Sequence, residues 1–462
     1  MKKKNRAIII SNVQALLGSN LEKTDILIQD GRFSEFGKDL SPPSPDTVMI
    51  DGTERIALPG IIDAHTHFSL RQGTHKTADD FSSGSRSALF GGVTFFIDYS
   101  MQEKSGSLKE SVRSRIKEAE GNSYIDYSFH AGITDWNRET ENEALDLLES
   151  GFPSFKMFLI YRDKGWLSDD SKIFDALSKL GPKGGIIEVH CENNDLINLL
   201  TEKLVKDNKT QVKYHPLSRP DFTEAEAVNR MIFLNRYAKG KLYIVHVSSL
   251  LSAEIIKEAK QRKIPVFAET CPQYLSINSN VFSGKEPELY ATCPPVRNEE
   301  NINGIWKIID EGFFDTIATD HCAFFKSQKE LGKNDFRKLA FGMPGTEYSF
   351  PVIFTEGHIK RRIEIEKISK LMSENPARIF GLTGRGKIEK GYIADIFIFH
   401  PEEKSILSSK THHHPLDYSP YEGKEVYGVP ETVIANGEIK VLNRELTGEM
   451  NGVLTKRFVN VN

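Results

Sequence analysis

The middle of this chain repeats one pattern, in which short apolar stretches alternate with longer helix-like ones such as SLKESVRSRIKEAEG and LLSAEIIKEAKQRK. We predict strands at GIIDAHTHF (60–68), GVTFFIDYS (92–100), IDYSFHAGIT (125–134), SFKMFLIY (154–161), GGIIEVHCEN (184–193), LYIVHVSS (242–249), PVFAETCP (265–272) and DTIATDHCAF (315–324). Eight strands with intervening helices over roughly 265 residues predict an α/β fold, a (β/α)8 barrel of the TIM type. A doubly wound open sheet is the structural alternative.

Both ends of the chain contain short strand-like stretches instead. They include RAIIISNVQALL and TDILIQDGRFSEFG near the start, and KGYIADIFIFHP and PETVIANGEIKVLN near the end. Asp30-Gly31 and Asn436-Gly437 are hairpin signals within them. We therefore predict a small β-sandwich domain built from residues 1–55 and 384–462, with the barrel at 56–383.

Composition excludes several classes of protein. The 462 residues carry a net charge of −4 with 27% charged residues, so no basic footprint for nucleic acid is present. No apolar run reaches the ~18 residues of a membrane span. The start, MKKKNRAIII, resembles a signal peptide, but SNVQ interrupts it and no cleavage site follows, so we predict a first strand. The scattered cysteines, Cys191, Cys271, Cys293 and Cys322, indicate reduced thiols in a cytoplasmic protein.

Polar side chains occur late in the predicted barrel strands. The carboxyl ends of barrel strands meet at one rim, where the active sites of such barrels lie. Two histidines at i, i+2 share one strand face and can hold one metal ion. Any one of these residues is weak evidence by itself, but their joint position predicts a metal site. The six candidate ligands are His65, His67, Lys156, His190, His246 and Asp320.

Lys156 is the unusual member, because it lies within the apolar stretch SFKMFLIY. Burying an ammonium costs several kcal/mol unless it is paired or deprotonated. A neutral lysine amine can react with CO2 to give a carbamate, whose two oxygens can bridge a metal pair. The alternative is a lysine paired with a buried carboxylate.

These motifs resemble those of the amidohydrolase superfamily, and most of all its dihydropyrimidinases and hydantoinases. The resemblance rests on PGIIDAHTHF, SFKMFLIY, EVHCEN, IVHVSS and ATDHCAF, with supporting text such as AETCPQYL and SENPARIFGL. It covers nearly the whole chain, including both ends. It implies a homo-oligomer, commonly a tetramer, that hydrolyses a small cyclic diamide.

The resemblance also implies a role for each site residue. One metal ion would be bound by His65, His67, carbamylated Lys156 and Asp320, and a second by the carbamate, His190 and His246. The two divalent ions are usually zinc, with manganese or cobalt as alternatives, and a hydroxide bridges them. Asp320 would act as general base and then acid, and Tyr161 would support the oxyanion. The implied reaction opens dihydropyrimidines or 5-substituted hydantoins to N-carbamoyl amino acids.

Three sequence features bear on the substrate. The family's substrate-binding serine is Cys293 here and its asparagine is Phe341, although these positions are thought to bind through main-chain groups. Leu70, Phe158 and Trp166 are candidates for an apolar roof, with ordinary packing as the alternative. Ser69 stands where dihydroorotases carry an arginine.

Two alternatives to this function remain. One is a cyclic amidase of the allantoinase or dihydroorotase type. The other is a non-catalytic assembly protein related to dihydropyrimidinases, although such proteins have lost metal ligands. The THHHP segment (411–415) invites a metal-site interpretation, but we predict a surface or interface patch in the C-terminal domain, away from the predicted ligands.

Overall fold

The computed structural model describes residues 6–72 and 75–459. Within them, eight parallel strands form one sheet in chain order. The strands are Ile61–Thr66, Val93–Met101, Asp126–Gly132, Ser154–Phe158, Ile186–His190, Lys241–Ile244, Val266–Thr270 and Thr316–Ile317. Each overlaps one of the predicted strands.

The last strand returns to the first, which closes the sheet into a barrel. Thr66 and His321 form a parallel bridge, and the His67 N–H donates to the His321 carbonyl over 2.8 Å. In the same seam, Asp63 accepts hydrogen bonds from the Thr319 backbone N–H (3.0 Å) and hydroxyl (2.6 Å). The predicted (β/α)8 barrel is confirmed, and the open sheet is excluded.

Helices follow the barrel strands along the chain. The longer ones are Phe81–Phe90, Leu108–Ala119, Arg138–Glu149, Asp170–Leu180, Asn194–Lys206, Asp221–Ala238, Leu250–Gln261 and Glu299–Asp310. Short ones are His215–Ser218, Pro272–Ser276 and Lys326–Glu330, and continuous helical segments span 349–361 and 365–380. Leu108–Ala119 is typical, since the Ser107 side chain caps its start and Leu108 and Val112 are buried. In the described part of the chain, no helix is both long and apolar enough to cross a membrane.

Strands from both chain ends form a second sheet, which has nine strands among the described residues. They are Ile8–Leu17, Asn20–Gln29, Arg32–Gly37, Val48–Asp51, Ile56–Pro59, Ile396–Phe399, Pro430–Ala435, Glu438–Leu442 and Glu445–Leu446. Two short ladders lie outside it, Arg71–Gln72 with His75–Lys76 and Lys404–Ile406 with Glu425–Tyr427. The strand Ile56–Pro59, which the predicted boundary assigned to the barrel, pairs within this terminal sheet.

Both predicted hairpin turns are present in the terminal sheet. Asp30 and Gly31 have φ of 49° and 78°, and Asn436 and Gly437 have φ of 53° and 68°. Two consecutive residues with positive φ form the turn whose twist matches the flanking strands, and Asn-Gly and Asp-Gly favour it.

The terminal sheet has one apolar core of its own and shares another with the barrel. Ile26, Phe33 and Ile396 pack within the first core. Phe397 and Val433 belong to the large cluster that continues into the barrel helices. The alternation of side chains along each strand therefore joins the two parts of the molecule.

A buried arginine connects the same two parts. Arg385 forms ion pairs with Asp126, the first residue of a barrel strand, and with Asp395, which precedes a strand of the terminal sheet. It also donates to the Asn436 side chain over 2.8 Å. All three charged side chains are at most 5% exposed, so each charge depends on the others for stabilisation.

The last described residues return to the floor of the barrel. The Thr455 N–H donates to the Tyr127 carbonyl over 2.8 Å. The fully buried Arg457 side chain donates to the hydroxyls of Ser128 and Ser154, each over 2.9 Å. The C-terminal segment therefore closes the end of the barrel opposite the strand C-termini.

We predict that Arg385→Met lowers the free energy of unfolding by about 3–5 kcal/mol, because it leaves two buried carboxylates without their cation. Denaturant unfolding followed by circular dichroism measures the change. The matched control is Arg113→Met, since Arg113 is 68% exposed and its ion pair with Glu110 is a surface pair. That control should change the free energy by less than about 1 kcal/mol. Equal effects of the two substitutions would contradict the role of Arg385.

Candidate metal centre

Barrel closure brings all six predicted ligands to one rim. The ring centroid of His65 lies 5.1 Å from that of His67 and 5.6 Å from that of His246. The rings of His190 and His246 are 4.4 Å apart. The residues that line this one cavity include His65, His67, Lys156, His190, His246 and Asp320. The strand ends therefore converge as the sequence predicts.

Asp320 lies between His65, in the first barrel strand, and His67, directly after that strand. Its Oδ1 is 3.2 Å from His65 Nε2 and 3.1 Å from His67 Nε2. Burial by itself would raise the pKa of the Asp320 carboxyl, but the facing His65 and His67 hold that pKa well below its usual range. Asp320 is therefore an ionised carboxylate, able to bind a metal ion or to accept a proton.

A buried carboxylate lies behind His65. The Nδ1 of His65 is 2.7 Å from Glu269 Oε1, and Glu269 also accepts the Tyr243 hydroxyl (2.9 Å) and the His246 N–H (3.0 Å). Burial lowers the pKa of His65, but Glu269 and Asp320 outweigh it and raise that pKa to about 9 when no metal ion is bound. A metal ion at Nε2 would displace this proton, because metal binding to histidine releases protons. A carboxylate in this position fixes the imidazole so that Nε2 faces the site.

His190 has a similar arrangement. Its Nε2 lies 2.7 Å from Glu192 Oε2, and Glu192 is in turn held by Arg219 over 2.5 Å. This contact leaves Nδ1 as the nitrogen that can bind a metal ion. Burial lowers the pKa values of His190 and His246 well below the ordinary value, which favours the neutral imidazole that metal binding requires.

Lys156 is 2% exposed and lies beside Glu188 in the strand register. Among the described residues no carboxylate forms an ion pair with its ammonium, since Glu188 instead contacts His130 (2.7 Å) and Tyr99 (2.8 Å). Its Nζ lies 5.4 Å from the ring centroid of Tyr99 and 5.6 Å from that of Phe158. Burial lowers the pKa of Lys156 and so favours the neutral amine. The buried ion pair that was the alternative for Lys156 is therefore not formed.

The unsatisfied donor atoms of this rim fit a divalent metal ion. His67 Nδ1 is buried without a hydrogen-bond partner, and His65 Nε2 has only its 3.2 Å ion-pair contact with Asp320 among the described residues. His65, His67 and Asp320 each offer one ligand atom, and these atoms all lie within 4.8 Å of one another. Imidazole nitrogens together with a carboxylate oxygen suit zinc, manganese or cobalt.

The three predicted substrate-binding residues line the same cavity, namely Tyr161, Cys293 and Phe341, as do the predicted roof residues Leu70, Phe158 and Trp166. Tyr161 is not in a strand, however, because the strand that carries Lys156 ends at Phe158. Tyr161 has φ of 66°, and its ring centroid lies 5.4 Å from that of His190. Burial raises the pKa of the Tyr161 hydroxyl well above its usual value, so the group can donate a hydrogen bond.

A buried lysine joins the chain segments that carry Cys293 and Phe341. The Lys329 ammonium donates to the carbonyls of Ala291 (3.1 Å) and Gly342. The Gly342 N–H in turn donates to the Ala291 carbonyl over 2.9 Å. Burial lowers the pKa of Lys329 to about 7. Lys329 therefore ties together the two adjacent main-chain segments that carry Cys293 and Phe341.

The predicted location of the THHHP segment, on a surface away from the ligands, was wrong, because its histidines pack on the barrel. His413 stacks on Phe90 with ring centroids 3.3 Å apart, and the buried His414 lies 5.1 Å from His321. His321, Asp79 and His414 form a second compact group of potential ligands. However, His321 contacts Asp79 through Nε2 and accepts a backbone N–H through Nδ1. Both His321 nitrogens are therefore occupied, and the group is a packing element next to Asp320.

Sequence reasoning missed the residues that support the ligands. Glu192 comes two residues after His190, and Glu269 lies near the end of the seventh strand. Buried carboxylates in apolar strands are rare unless they are paired, so Glu188 and Glu269 were detectable as polar residues in such strands. Their partners could not be assigned, because the contacts cross between strands far apart in the chain.

Comparison with known proteins identifies the family of this chain. The amidohydrolase family matches residues 56–440. D-hydantoinase of Geobacillus stearothermophilus is 35% identical over 446 residues, which cover 96% of this chain and 94% of that protein. D-hydantoinase of Streptomyces coelicolor is 37% identical over 446 residues, 94% of each chain. The crystal structure of dihydropyrimidinase from Brevibacillus agri has a TM-score of 0.95 at 32% identity, and the match covers 98% of this chain and 99% of that one. The chain therefore belongs to the hydantoinase family of the amidohydrolase superfamily, and it is a hydrolase of cyclic amides.

Proposed function

We propose that this protein opens 5,6-dihydropyrimidines or 5-substituted hydantoins to N-carbamoyl amino acids at a centre of two divalent metal ions. The observation that carries the proposal is the convergence of four histidines and Asp320 around Lys156, a buried lysine with no carboxylate partner in the described chain. The presence of all six ligand residues argues against a non-catalytic assembly protein.

The chain offers enough ligands for two ions. His65, His67 and Asp320 would bind one, and His190 and His246 would bind the other. Lys156, carbamylated by CO2, would contribute an oxygen to each. Such a pair supplies an activated water and polarises the amide carbonyl. Zinc fits the donor set, with manganese or cobalt as alternatives.

The side chains of this protein would move the protons and stabilise charge. Asp320 is ionised and faces the cavity, so its carboxylate would accept the proton of the attacking water and pass it to the leaving ring nitrogen. The Tyr161 hydroxyl, which keeps its proton, would donate a hydrogen bond to the oxygen that develops negative charge.

Main-chain groups beside Cys293 and Phe341 would bind the ring diamide. A thiol or a phenyl ring offers little to an amide, whereas backbone N–H and C=O groups match it in both directions. Lys329 supports this assignment because it fixes both segments through Ala291 and Gly342. The homotetramer and the cytoplasmic location stay predictions.

A hydrolysis panel tests the substrate class. We expect dihydrouracil and 5-substituted hydantoins to be opened with kcat/KM at least tenfold above that for allantoin or dihydroorotate, a difference of about 1.4 kcal/mol. Loss of absorbance of the cyclic amide and chromatography of the N-carbamoyl product measure the rates. A preference for allantoin or dihydroorotate would contradict the proposed substrates and would identify the enzyme as a cyclic amidase of the allantoinase or dihydroorotase type.

Metal removal tests the centre. Purified protein should contain about two divalent ions per chain, and chelation should abolish hydrolysis. Zinc or manganese added together with bicarbonate should restore activity further than either metal alone, because the carbamate forms from CO2. Elemental analysis gives the metal content, and fewer than one ion per chain with full activity would contradict the mechanism.

Lys156→Ala tests the carbamate. We expect hydrolysis to fall to background, because the shared ligand is lost, and small carboxylates such as acetate should restore part of it. Lys172→Ala is the control, since Lys172 is 37% exposed and pairs only with a surface carboxylate. Circular dichroism of both variants confirms folding. Wild-type activity in folded Lys156→Ala would contradict the proposal that a Lys156 carbamate is needed for hydrolysis.

A further inference from the structure

A second cavity of about 320 Å³ lies beside the candidate metal centre. Tyr161 and Phe341 line both cavities, so these two side chains form the wall that the cavities share. The Phe341 ring is held on the far side by His215, with ring centroids 5.0 Å apart, and by Arg219, whose guanidinium lies 5.9 Å from the ring centroid. The side cavity is therefore adjacent to the metal centre across these two side chains.

The charged residues that line this side cavity are mostly cationic. Lys164, Arg219, Arg337 and Lys338 line it, with Asp163 as the acidic residue. Arg219 and Arg337 each have an anionic partner, in Glu192 and Asp335 respectively. The two lysines form no ion pair with any residue of the described chain, so the lining has an excess of positive charge. Such an excess favours an anionic ligand.

Lys164 is the lysine that lies over the Tyr161 ring of the shared wall. It lies in the turn that follows the fourth strand, where its N–H and that of Trp166 both donate to the Tyr161 carbonyl over 3.1 Å. Its Nζ lies 4.6 Å from the ring centroid of Tyr161 and 5.5 Å from that of Trp166. Both rings also line the metal-centre cavity, so the ammonium is held at its mouth.

The Lys164 ammonium favours a carboxylate over a neutral ligand. An ammonium offers three donors and no acceptor, so it binds a carboxylate better than an amide or hydroxyl of the same shape. Lys164 is exposed as a residue, but desolvation of its ammonium lowers its pKa, against the opposing influence of Cys293 and Asp163. A carboxylate brought to the ammonium would stabilise its charged form and be stabilised in return.

We propose that the side cavity is a subsite for an acidic ring substituent, in which Lys164 binds a carboxylate carried by the cyclic amide substrate. This inference rests on the proposed function, and it narrows the substrate class to cyclic ureides with an anionic side chain. The carbon stem of the substituent would pass between Tyr161 and Phe341, and the carboxylate would reach the Lys164 ammonium.

A matched pair of substrates tests the subsite. 5-(2-Carboxyethyl)hydantoin and 5-(2-carbamoylethyl)hydantoin have nearly the same shape and differ in charge. The metal-loaded wild-type enzyme should open the acid with kcat/KM about tenfold higher than the amide at low ionic strength. The ratio should fall as salt is added, because exposed charges are screened.

Variants assign the effect to Lys164. In Lys164→Gln the acid-to-amide ratio should fall to about one, mainly through a higher KM for the acid, and Lys164→Arg should restore most of it. Arg162→Gln is the matched control, since Arg162 lies in the same turn but pairs with Asp195 outside both cavities. Its ratio should equal that of the wild-type enzyme.

The outcomes separate this inference from the proposed function. If the enzyme opens the amide as well as the acid, or if Lys164→Gln keeps the wild-type ratio, the subsite is wrong and the hydantoinase activity stands. If neither compound nor unsubstituted hydantoin is opened by enzyme with its full metal content, the proposed function fails and the subsite fails with it. Thermal unfolding of each variant confirms that the compared proteins are folded.

Discussion

The candidate site depends on the seam where the eighth barrel strand meets the first. Asp320 reaches the histidines of the first strand because hydrogen bonds join His67 to His321 and Asp63 to Thr319 at this seam. The last strand keeps a ladder of only Thr316–Ile317, so these contacts replace the missing ladder. Metal ligands must be placed within a fraction of an ångström, and barrel closure is what fixes the position of Asp320 relative to the histidines.

Behind the rim, the barrel interior is organised by buried carboxylates. Glu269 and Glu192 each contact one histidine of the site, and Glu188 lies beside Lys156 without pairing with it. Each carboxylate has other donors, so none is left as an isolated charge. The arrangement gives the histidines fixed nitrogens and leaves the lysine amine available for chemistry.

The sequence predicts the six ligands well because their positions follow from strand periodicity and from the rule that strand ends share one rim. It predicts the supporting residues poorly. Glu269 contacts His65 from another barrel strand, and Lys329 donates hydrogen bonds to Ala291 and Gly342 from another loop. These contacts form only when the barrel closes, so no local sequence pattern reveals them. The location of the THHHP segment was mispredicted for the same reason. Its polar residues suggested an exposed surface, whereas tertiary packing buries His414.

The pairing of Ile56–Pro59 with Ile396–Phe399 has a consequence for how the protein is made. During vectorial synthesis the first strands leave the ribosome long before their partner exists, so the terminal sheet cannot be completed until nearly the whole barrel has emerged. Contacts between such distant segments form slowly, because a long loop must close first. The first strands can pair with one another at once, but Ile56–Pro59 must wait with one edge unpaired. A chaperone that shields this edge would raise the yield of folded enzyme.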